Sequence, residues 1–486
     1  MKRAAALFGD RGAASWLVVL AGMGVFFAAD DQTSVVAVLP KMIGGVGLAQ
    51  DQFYRAAWIV NAYILGYVVA MPLMGRVADD FGHGRVFALA LLLFSAGSAW
   101  VAMSQGLTEL SVARGVQAVG GGAVVPVAMA IVTSYASPKR RAIGLGAIAA
   151  ASEAGGLIGP LWGGAVADLL GWRGVFWINL PMCLPLAVAV WRLSRREPAR
   201  GGRALDLAGA GLLGASLVCL TVALTDDPIA PRATAATVGL FVAAAALFAL
   251  FVLRQRRFRE PLVDLGVFRR PSLSAAFLTS GLVGGALIVA MVAVPLFTNT
   301  VLGGSPLAGG LNLMRLTIAL PVGALAGGVV ATRFGLAAGG ALGLVLAGAG
   351  FLGMAAWTAD PSFPLLTAPL LLAGFGFGLV IAPLNTAVMD VAGEAERATL
   401  ASLLTVMRLL GALVGVALLT TRGLSGFYAE AGLVPLDDPR FAELLRGLQI
   451  DSFRDTFVVT AGVCFASVLP ALLLRLAPLP RTPPSA

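Results

Sequence analysis

Apolar runs long enough to cross a bilayer recur along the chain, separated by short polar connectors. A spanning helix takes ~20 predominantly apolar residues. The first run extends from Ala13 to Pro40, well past the Ala28-Ala29 pair at which a leader would be cut, and reads as a spanning helix. Ala56 to Met74, Phe87 to Met103, Leu110 to Tyr135, Ile143 to Ala167 and Val175 to Leu193 close a first block of six. Leu207 to Leu224 and Ala233 to Leu253 come next. A second block of six then follows: Ala275 to Phe297, Leu307 to Ala331, Leu336 to Trp357, Leu365 to Met389, Leu400 to Leu419 and Thr456 to Leu476. The pattern predicts an all-α polytopic membrane protein with 14 transmembrane helices. Residues 1–195 form an N-terminal six-helix bundle, 196–260 two inserted helices with cytoplasmic linkers, and 261–486 a C-terminal six-helix bundle with a periplasmic loop at 421–454. In that loop Asp438-Pro439 reads as a helix start. Phe441, Leu444, Leu445 and Leu448 follow at i, i+3, i+4 and i+7, predicting a short amphipathic helix lying on the outer membrane face.

The basic residues orient these spans. With the N-terminus cytoplasmic, 23 of the 34 lysines and arginines fall in inward connectors and 8 in outward ones, while Arg114, Arg315 and Arg408 lie inside apolar runs. Positive-inside asymmetry fits this register, with both termini cytoplasmic in a bacterial inner membrane. One helix more or fewer would turn Arg254, Arg256, Arg257, Arg259, Arg269 and Arg270 outward.

Composition agrees with the pattern. Charged residues make up 12% of the chain, against about a quarter in soluble domains, too few to coat a water-soluble globule. The net charge of +9 is spread over connectors, so it reports orientation and implies no nucleic-acid partner. Three scattered cysteines, Cys183, Cys219 and Cys464, suggest neither a disulfide framework nor a metal cluster. The single histidine, His83, sits in a connector, which leaves intramembrane proton traffic to carboxylates. The three lysines stand in no phosphate-binding G-x-x-x-x-G-K-[ST] loop, which argues against ATP-driven pumping.

Specific motifs sharpen the reading. Gly75-Arg-Val-Ala-Asp79-Asp80-Phe-Gly82-His83-Gly84-Arg85 resembles the major facilitator signature G-x-L-A-D-R-x-G-R-R/K, matching at Gly75, Asp79, Gly82 and Arg85. Asp80, His83 and Gly84 stand where that pattern has basic residues. In the fifth run, Gly155, Gly159, Pro160, Gly163 and Gly164 fit the antiporter signature G-x-x-x-G-P-x-x-G-G. Glycines there permit backbone contact, and Pro160 removes a helix hydrogen bond. Asp31-Gln-Thr33 to Leu39-Pro40, Arg114-Gly-Val-Gln117, Phe176-Trp177-Ile178-Asn179-Leu180-Pro181 and Arg408-Leu-Leu-Gly411 resemble the 14-helix drug:H+ antiporter-2 family. Glu153 with Leu313-Met314-Arg315 and Leu320-Pro321-Val322-Gly323 is similar to a mycobacterial branch that exports triacylglyceride-type lipids and some drugs and works with a periplasmic lipoprotein.

The resemblance implies a major facilitator fold whose two six-helix halves are related by an axis along the membrane normal. It implies proton-coupled export of a hydrophobic or amphipathic compound, lipid or drug, by alternating access, with no cofactor beyond the proton gradient. The partners are then the cargo, protons and membrane lipids. An importer or facilitator of the same fold, a channel and a membrane-embedded lipid-modifying enzyme stay open as alternatives, the last poorly equipped with one loop histidine. Ionised groups in the hydrocarbon persist where they pair or line a cavity. Accordingly Asp31 and Glu153 are expected to be proton-linked, with Arg408 and Arg315 as alternating partners and Arg114 bracing the fourth helix. Asp30 lies about 100° from Asp31 around the helix, so one of the two is expected to face the cavity. Phe26, Phe27, Trp58, Phe277, Phe297, Phe375 and Phe377 are candidate apolar lining.

Overall fold

A computed structural model describes residues 10–48, 55–135, 138–194, 205–225, 232–258, 261–391, 397–419, 427 and 440–476. Among the described residues, fourteen long helices run in chain order: α1 (Asp10–Gly45), α2 (Ala57–Phe81), α3 (His83–Met103), α4 (Leu107–Tyr135), α5 (Pro138–Leu170), α6 (Trp172–Leu193), α7 (Leu207–Leu224), α8 (Thr234–Arg257), α9 (Pro271–Thr300), α10 (Pro306–Phe334), α11 (Leu336–Met354), α12 (Phe363–Val391), α13 (Arg397–Leu418) and α14 (Phe441–Ala466). Among the described residues, eleven of these are long and apolar enough to cross a membrane. The other three, α1, α5 and α13, carry Asp30 and Asp31, Glu153, and Arg408. The chain is a multi-pass membrane protein.

Two compact units divide it. The first comprises Met1–Ala223, Arg232–Val263 and Gly304–Gly310; the second comprises Leu224–Pro231, Asp264–Gly303 and Leu311–Ala486. The inserted helices α7 and α8 fall with the first unit. Within each unit the helices pair in the same order. α1 packs on α5 and α9 on α13; α3 packs on α4 and α11 on α12. Glycine makes these contacts close. Across α9 and α13 a Cβ at Gly285 would lie 3.1 Å from the Gly411 carbonyl, and across α11 and α12 a Cβ at Gly343 would lie 2.6 Å from the Gly376 carbonyl. Small residues of this kind let spanning helices associate where lipid supplies no hydrophobic drive.

A polar clasp joins the start of α7 to the end of α8. Asp206, fully buried, accepts from Arg254 Nε at 2.6 Å, Gln255 Nε2 at 2.8 Å and the Gly209 N–H at 2.8 Å, so it also caps the first turn of α7. Gln255 Oε1 accepts from the Val263 N–H, and Arg76 donates to the Pro261 carbonyl, which ties the C-terminal part of α2 to the same segment. Burial pushes the Asp206 carboxyl up, but Arg254, the Gly209 N–H and Gln255 outweigh it and hold the group below its usual range. A depressed carboxyl adds stability above its unfolded pKa and loses it as pH falls through the folded value. Asp206→Ala should therefore lower thermal stability in detergent by about 1–3 kcal/mol at neutral pH. The gap from wild type should close on acidification; a gap that is independent of pH would refute this account.

The amphipathic segment differs from expectation. Phe441, Leu444, Leu445 and Leu448 belong to α14, which continues unbroken to Ala466 instead of ending as a separate surface helix. Asp438-Pro439 lies outside the described residues. The helix stands on its own unit because its arginines meet orphan carbonyls. Arg446 Nε donates to Val301 O at 2.8 Å and Arg454 Nε to Ala355 O at 3.3 Å, and these acceptors are the C-cap residues of α9 and α11. The last run is interrupted at Ser467 and resumes as α15 (Val468–Leu472), where Pro470 has no N–H to continue the ladder.

Candidate functional site: the buried charges of the first unit

Arg114 and Gln117 are three residues apart on α4, hence on one face. Both point at α1. Arg114 Nη1 lies 2.9 Å from Asp31 Oδ2, and each of these residues is 1% exposed. Asp31 Oδ1 accepts from Gln117 Nε2 at 3.0 Å and from Asn179 Nδ2 of α6 at 2.7 Å. Ser98 of α3 closes the cluster: its hydroxyl accepts from both amides, at 3.1 and 2.9 Å, and donates to the Phe176 carbonyl at 3.1 Å. The neighbouring Gly97 brings α3 in this close, since a Cβ there would lie 2.5 Å from the Gln117 Cα. The guanidinium also lies over the Tyr63 ring, 4.1 Å from its centroid. Asp31 thus meets a guanidinium at one oxygen and two amides at the other. The guanidinium side is less complete, since Arg114 Nε is buried with no hydrogen-bond partner among the described residues.

Asp30, one residue earlier, faces α5 instead. It is buried, its Oδ2 lies 3.4 Å from Ser34 Oγ, and its Oδ1 has no hydrogen-bond partner among the described residues. The antiporter-motif glycines form this crossing. A Cβ at Gly155 would run into the Phe26 carbonyl, one at Gly159 into Thr33 Oγ1, and one at Gly163 would lie 2.7 Å from Ser34 Cβ. Ser34 Oγ donates to the Gly159 carbonyl at 2.9 Å across the same contact. Gly164 serves a different neighbour, the first turn of α10, where its Cβ would lie 2.9 Å from Leu307 Cα. Pro160 does not end the helix; α5 runs through it.

Glu153 is exposed. At 100° per residue it lies roughly 120° around α5 from the Gly159 face, on the stripe of Pro160 and Gly164. Near the C-terminal end of α5, Asp168 accepts from Lys41 Nζ at 2.9 Å and from the Leu307 N–H at 3.2 Å. In the second unit, Arg315 Nη1 donates to Thr367 Oγ1 at 3.0 Å and its guanidinium lies 4.9 Å from the Phe363 ring centroid. Arg408 is half-buried, and a Cβ at Gly284 of α9 would lie 2.8 Å from its Cγ. Within the first unit the structure therefore joins Asp31 to Arg114, while Asp30 and Glu153 have other surroundings.

The connector after α2 is a one-residue turn. Gly82 has φ +95°, a conformation L side chains rarely adopt, and both ends α2 and precedes α3. Gly75 is only in ordinary contact, 3.8 Å from Pro126 Cβ. Asp79 Oδ1 lies 3.0 Å from His83 Nε2, and Ser134 Oγ is 3.3 Å from His83 Nδ1. Asp80 is buried and Arg85 half-buried. The departure at Gly84 has a steric cause: a Cβ there would overlap Ser194 at the end of α6.

Gln117, Asn179 and Ser98 had no assigned role in the sequence reading. The available signal was the presence of amides inside apolar runs, with Gln117 one turn from Arg114. Of the candidate lining residues, Phe277, Phe297 and Phe377 are at most 1% exposed, which corrects that expectation for these three. Phe297 packs edge-on against Phe453 and tilted against Trp357 within the second unit's core.

Comparisons with known proteins agree with this architecture. The Major Facilitator Superfamily profile matches residues 20–416. A triacylglyceride transporter of Mycolicibacterium hassiacum is 35% identical over 484 residues, covering 92% of this chain and 90% of the relative. That of Mycobacterium tuberculosis is 33% identical over 485 residues, covering 93% of each. A bacterial homolog of the human lysosomal transporter Spinster, solved inward-facing and unoccupied, shares the fold with a TM-score of 0.72 at 16% identity, covering 97% of this chain and 99% of that one. On these matches the chain belongs to the major facilitator superfamily, a family of membrane transporters and not of enzymes.

Proposed function

We propose that this transporter exports triacylglyceride-type lipids or similarly amphipathic compounds across the bacterial inner membrane in exchange for protons, with both termini cytoplasmic. The observation that carries the cargo is the full-length similarity, 33–35% identity, to proteins named triacylglyceride transporters. Support for proton exchange comes from carboxyls on two long helices of the first unit: Asp30 beside the glycine crossing of the antiporter motif, Asp31 paired with Arg114, and Glu153 on another stripe of α5. Desolvation favours a neutral carboxyl and an approaching arginine favours the ion, so alternating access that moves Arg315 or Arg408 relative to an acid drives proton uptake and release. Cooperation with a periplasmic lipoprotein belongs to the same reading.

Proteoliposomes with an imposed pH gradient test it. Transport of a labelled triacylglyceride should depend on the direction of the gradient. Glu153→Gln should abolish that dependence while protein yield stays at the wild-type level; full gradient-driven transport by this variant would defeat the role of Glu153.

A further inference from the structure

His83 is the single histidine of the chain, and it stands in the α2–α3 turn where the major facilitator signature has a basic residue. Gly82 puts it there. With φ +95° that glycine reverses the chain, so that His83 opens α3 and its side chain reaches back to the last turn of α2. The residue is buried, and both ring nitrogens have polar neighbours: Nε2 lies 3.0 Å from Asp79 Oδ1 on α2, and Nδ1 lies 3.3 Å from Ser134 Oγ on α4. A neutral imidazole donates from one nitrogen and accepts at the other. As a carboxylate Asp79 can only accept, so the ring hydrogen belongs on Nε2, and Nδ1 accepts from the Ser134 hydroxyl. A second proton then has one place to go, Nδ1. The ring would donate at both ends, the bond to Asp79 would become charge-assisted, and the Ser134 hydroxyl would turn to accept.

The charges around the ring come from its own helix and from α2, α4 and α6, which pack on α3. α2 contributes Asp79, the buried Asp80 and, a turn earlier, Arg76, which donates to the Pro261 carbonyl. α4 contributes Ser134 and ends at Tyr135. α6 contributes the exposed Arg192 and ends before Ser194, whose hydroxyl donates to the Val190 carbonyl. On α3 itself Arg85 follows two residues later, and the positive end of the helix dipole falls at His83. The two acids of α2 therefore favour a charged ring, and the start of α3 with Arg85 opposes it.

We propose that His83 is a protonation switch in the α2–α3 turn: neutral, it only accepts from α4; charged, it clamps the ends of α2 and α4 to the start of α3. An arginine at this position would be charged at every pH. Histidine makes the clamp conditional, because its ordinary titration falls in the physiological range. A tighter turn resists the helix movements of alternating access, so exchange of cargo slows when the compartment facing the turn is acidified. The tautomer and the titration rest on the geometry alone; the effect on exchange rests on the lipid-transport reading above.

Nitrogen NMR on the full chain, labelled at histidine, freed of any histidine tag and placed in lipid vesicles, reports on this one ring. At the alkaline end the hydrogen should be on Nε2, and a second should appear on Nδ1 within about pH 5 to 8. Asp79→Asn removes the facing charge and should weaken proton binding about tenfold. A hydrogen on Nδ1 of the neutral ring, or a ring whose charge is constant over that range, would overturn the proposal, and both are read in the wild type should the variant fail to fold. Counterflow of labelled triacylglyceride, with the same pH on both sides of the membrane, reads the consequence. It should slow as the ring is protonated in wild type, and His83→Gln, which keeps a neutral donor toward Asp79, should lack that component of the pH response. The same pH response in both proteins would refute the switch, whereas counterflow absent at every pH would refute the lipid cargo and leave the NMR result to decide the ring.

Discussion

Replacing Arg114 by alanine should destabilise the first unit by about 3–5 kcal/mol, the range seen when one member of a buried ion pair is removed. Asp31 would be left at 1% exposure with only Gln117 and Asn179 as donors, bearing the cost of an unpaired buried charge or of taking up a proton to remove it, and the space over the Tyr63 ring would lose its guanidinium. Thermal unfolding in detergent, together with the yield of monodisperse protein, measures the loss. The double variant Arg114→Ala, Asp31→Asn isolates the electrostatic part. An asparagine keeps an acceptor for the amides and carries no charge, so the pair should be more stable than Arg114→Ala alone. Such a rescue is a coupling that independent sites cannot show. Simple addition of two penalties would mean that the ion pair contributes nothing beyond shape. Arg114→Lys should fall between, because a single ammonium replaces Nη1 toward Asp31 but not the planar contact with Tyr63.

That prediction depends on information only partly legible in the sequence. The apolar periodicity located fourteen helices, and polar residues inside the runs marked Asp30, Asp31, Arg114, Glu153, Arg315 and Arg408 as unusual. Pairing was not legible, because which acid meets which arginine depends on helix neighbours brought together by glycines scattered over the chain. Gly97 and Gly120, for example, seat α3 on α4 and so deliver Ser98 to Gln117. The direction of the α14 start was hidden for a related reason. Its heptad-like apolar face is equally suited to lipid or to a helix bundle, and the choice is made by Arg446 and Arg454 finding the carbonyl ends of α9 and α11. The clasp at Asp206 was also invisible, since its partners Arg254 and Gln255 are about fifty residues away and read as ordinary connector residues.

Glycine positions in the antiporter motif should divide sharply when each is changed to alanine. In an open helix interior the change is favourable by about 1 kcal/mol, because alanine loses less backbone freedom on folding. Gly156 meets that condition: its nearest neighbour would be Thr33 Cγ2 at 4.0 Å, an ordinary contact, so Gly156→Ala should hold or raise the melting temperature and leave transport intact. Gly159 does not. Its Cβ would overlap Thr33 Oγ1 and approach the Asp30 carbonyl to 2.7 Å, and the backbone of α1 cannot rotate out of the way as a side chain can. Gly163 meets Ser34 Cβ and its carbonyl, both at 2.7 Å, with the same consequence. Gly159→Ala and Gly163→Ala should each cost about 1–3 kcal/mol through overpacking and force α1 away from α5. Separation at this point breaks the Ser34 contact with the Gly159 carbonyl, so both variants should lose lipid transport in vesicles even where some folded protein survives. Melting curves for the three variants side by side decide the matter. Equal behaviour of Gly156→Ala and Gly159→Ala would show that the two helices are not held at backbone contact, and the burial of Asp30 would then need another cause.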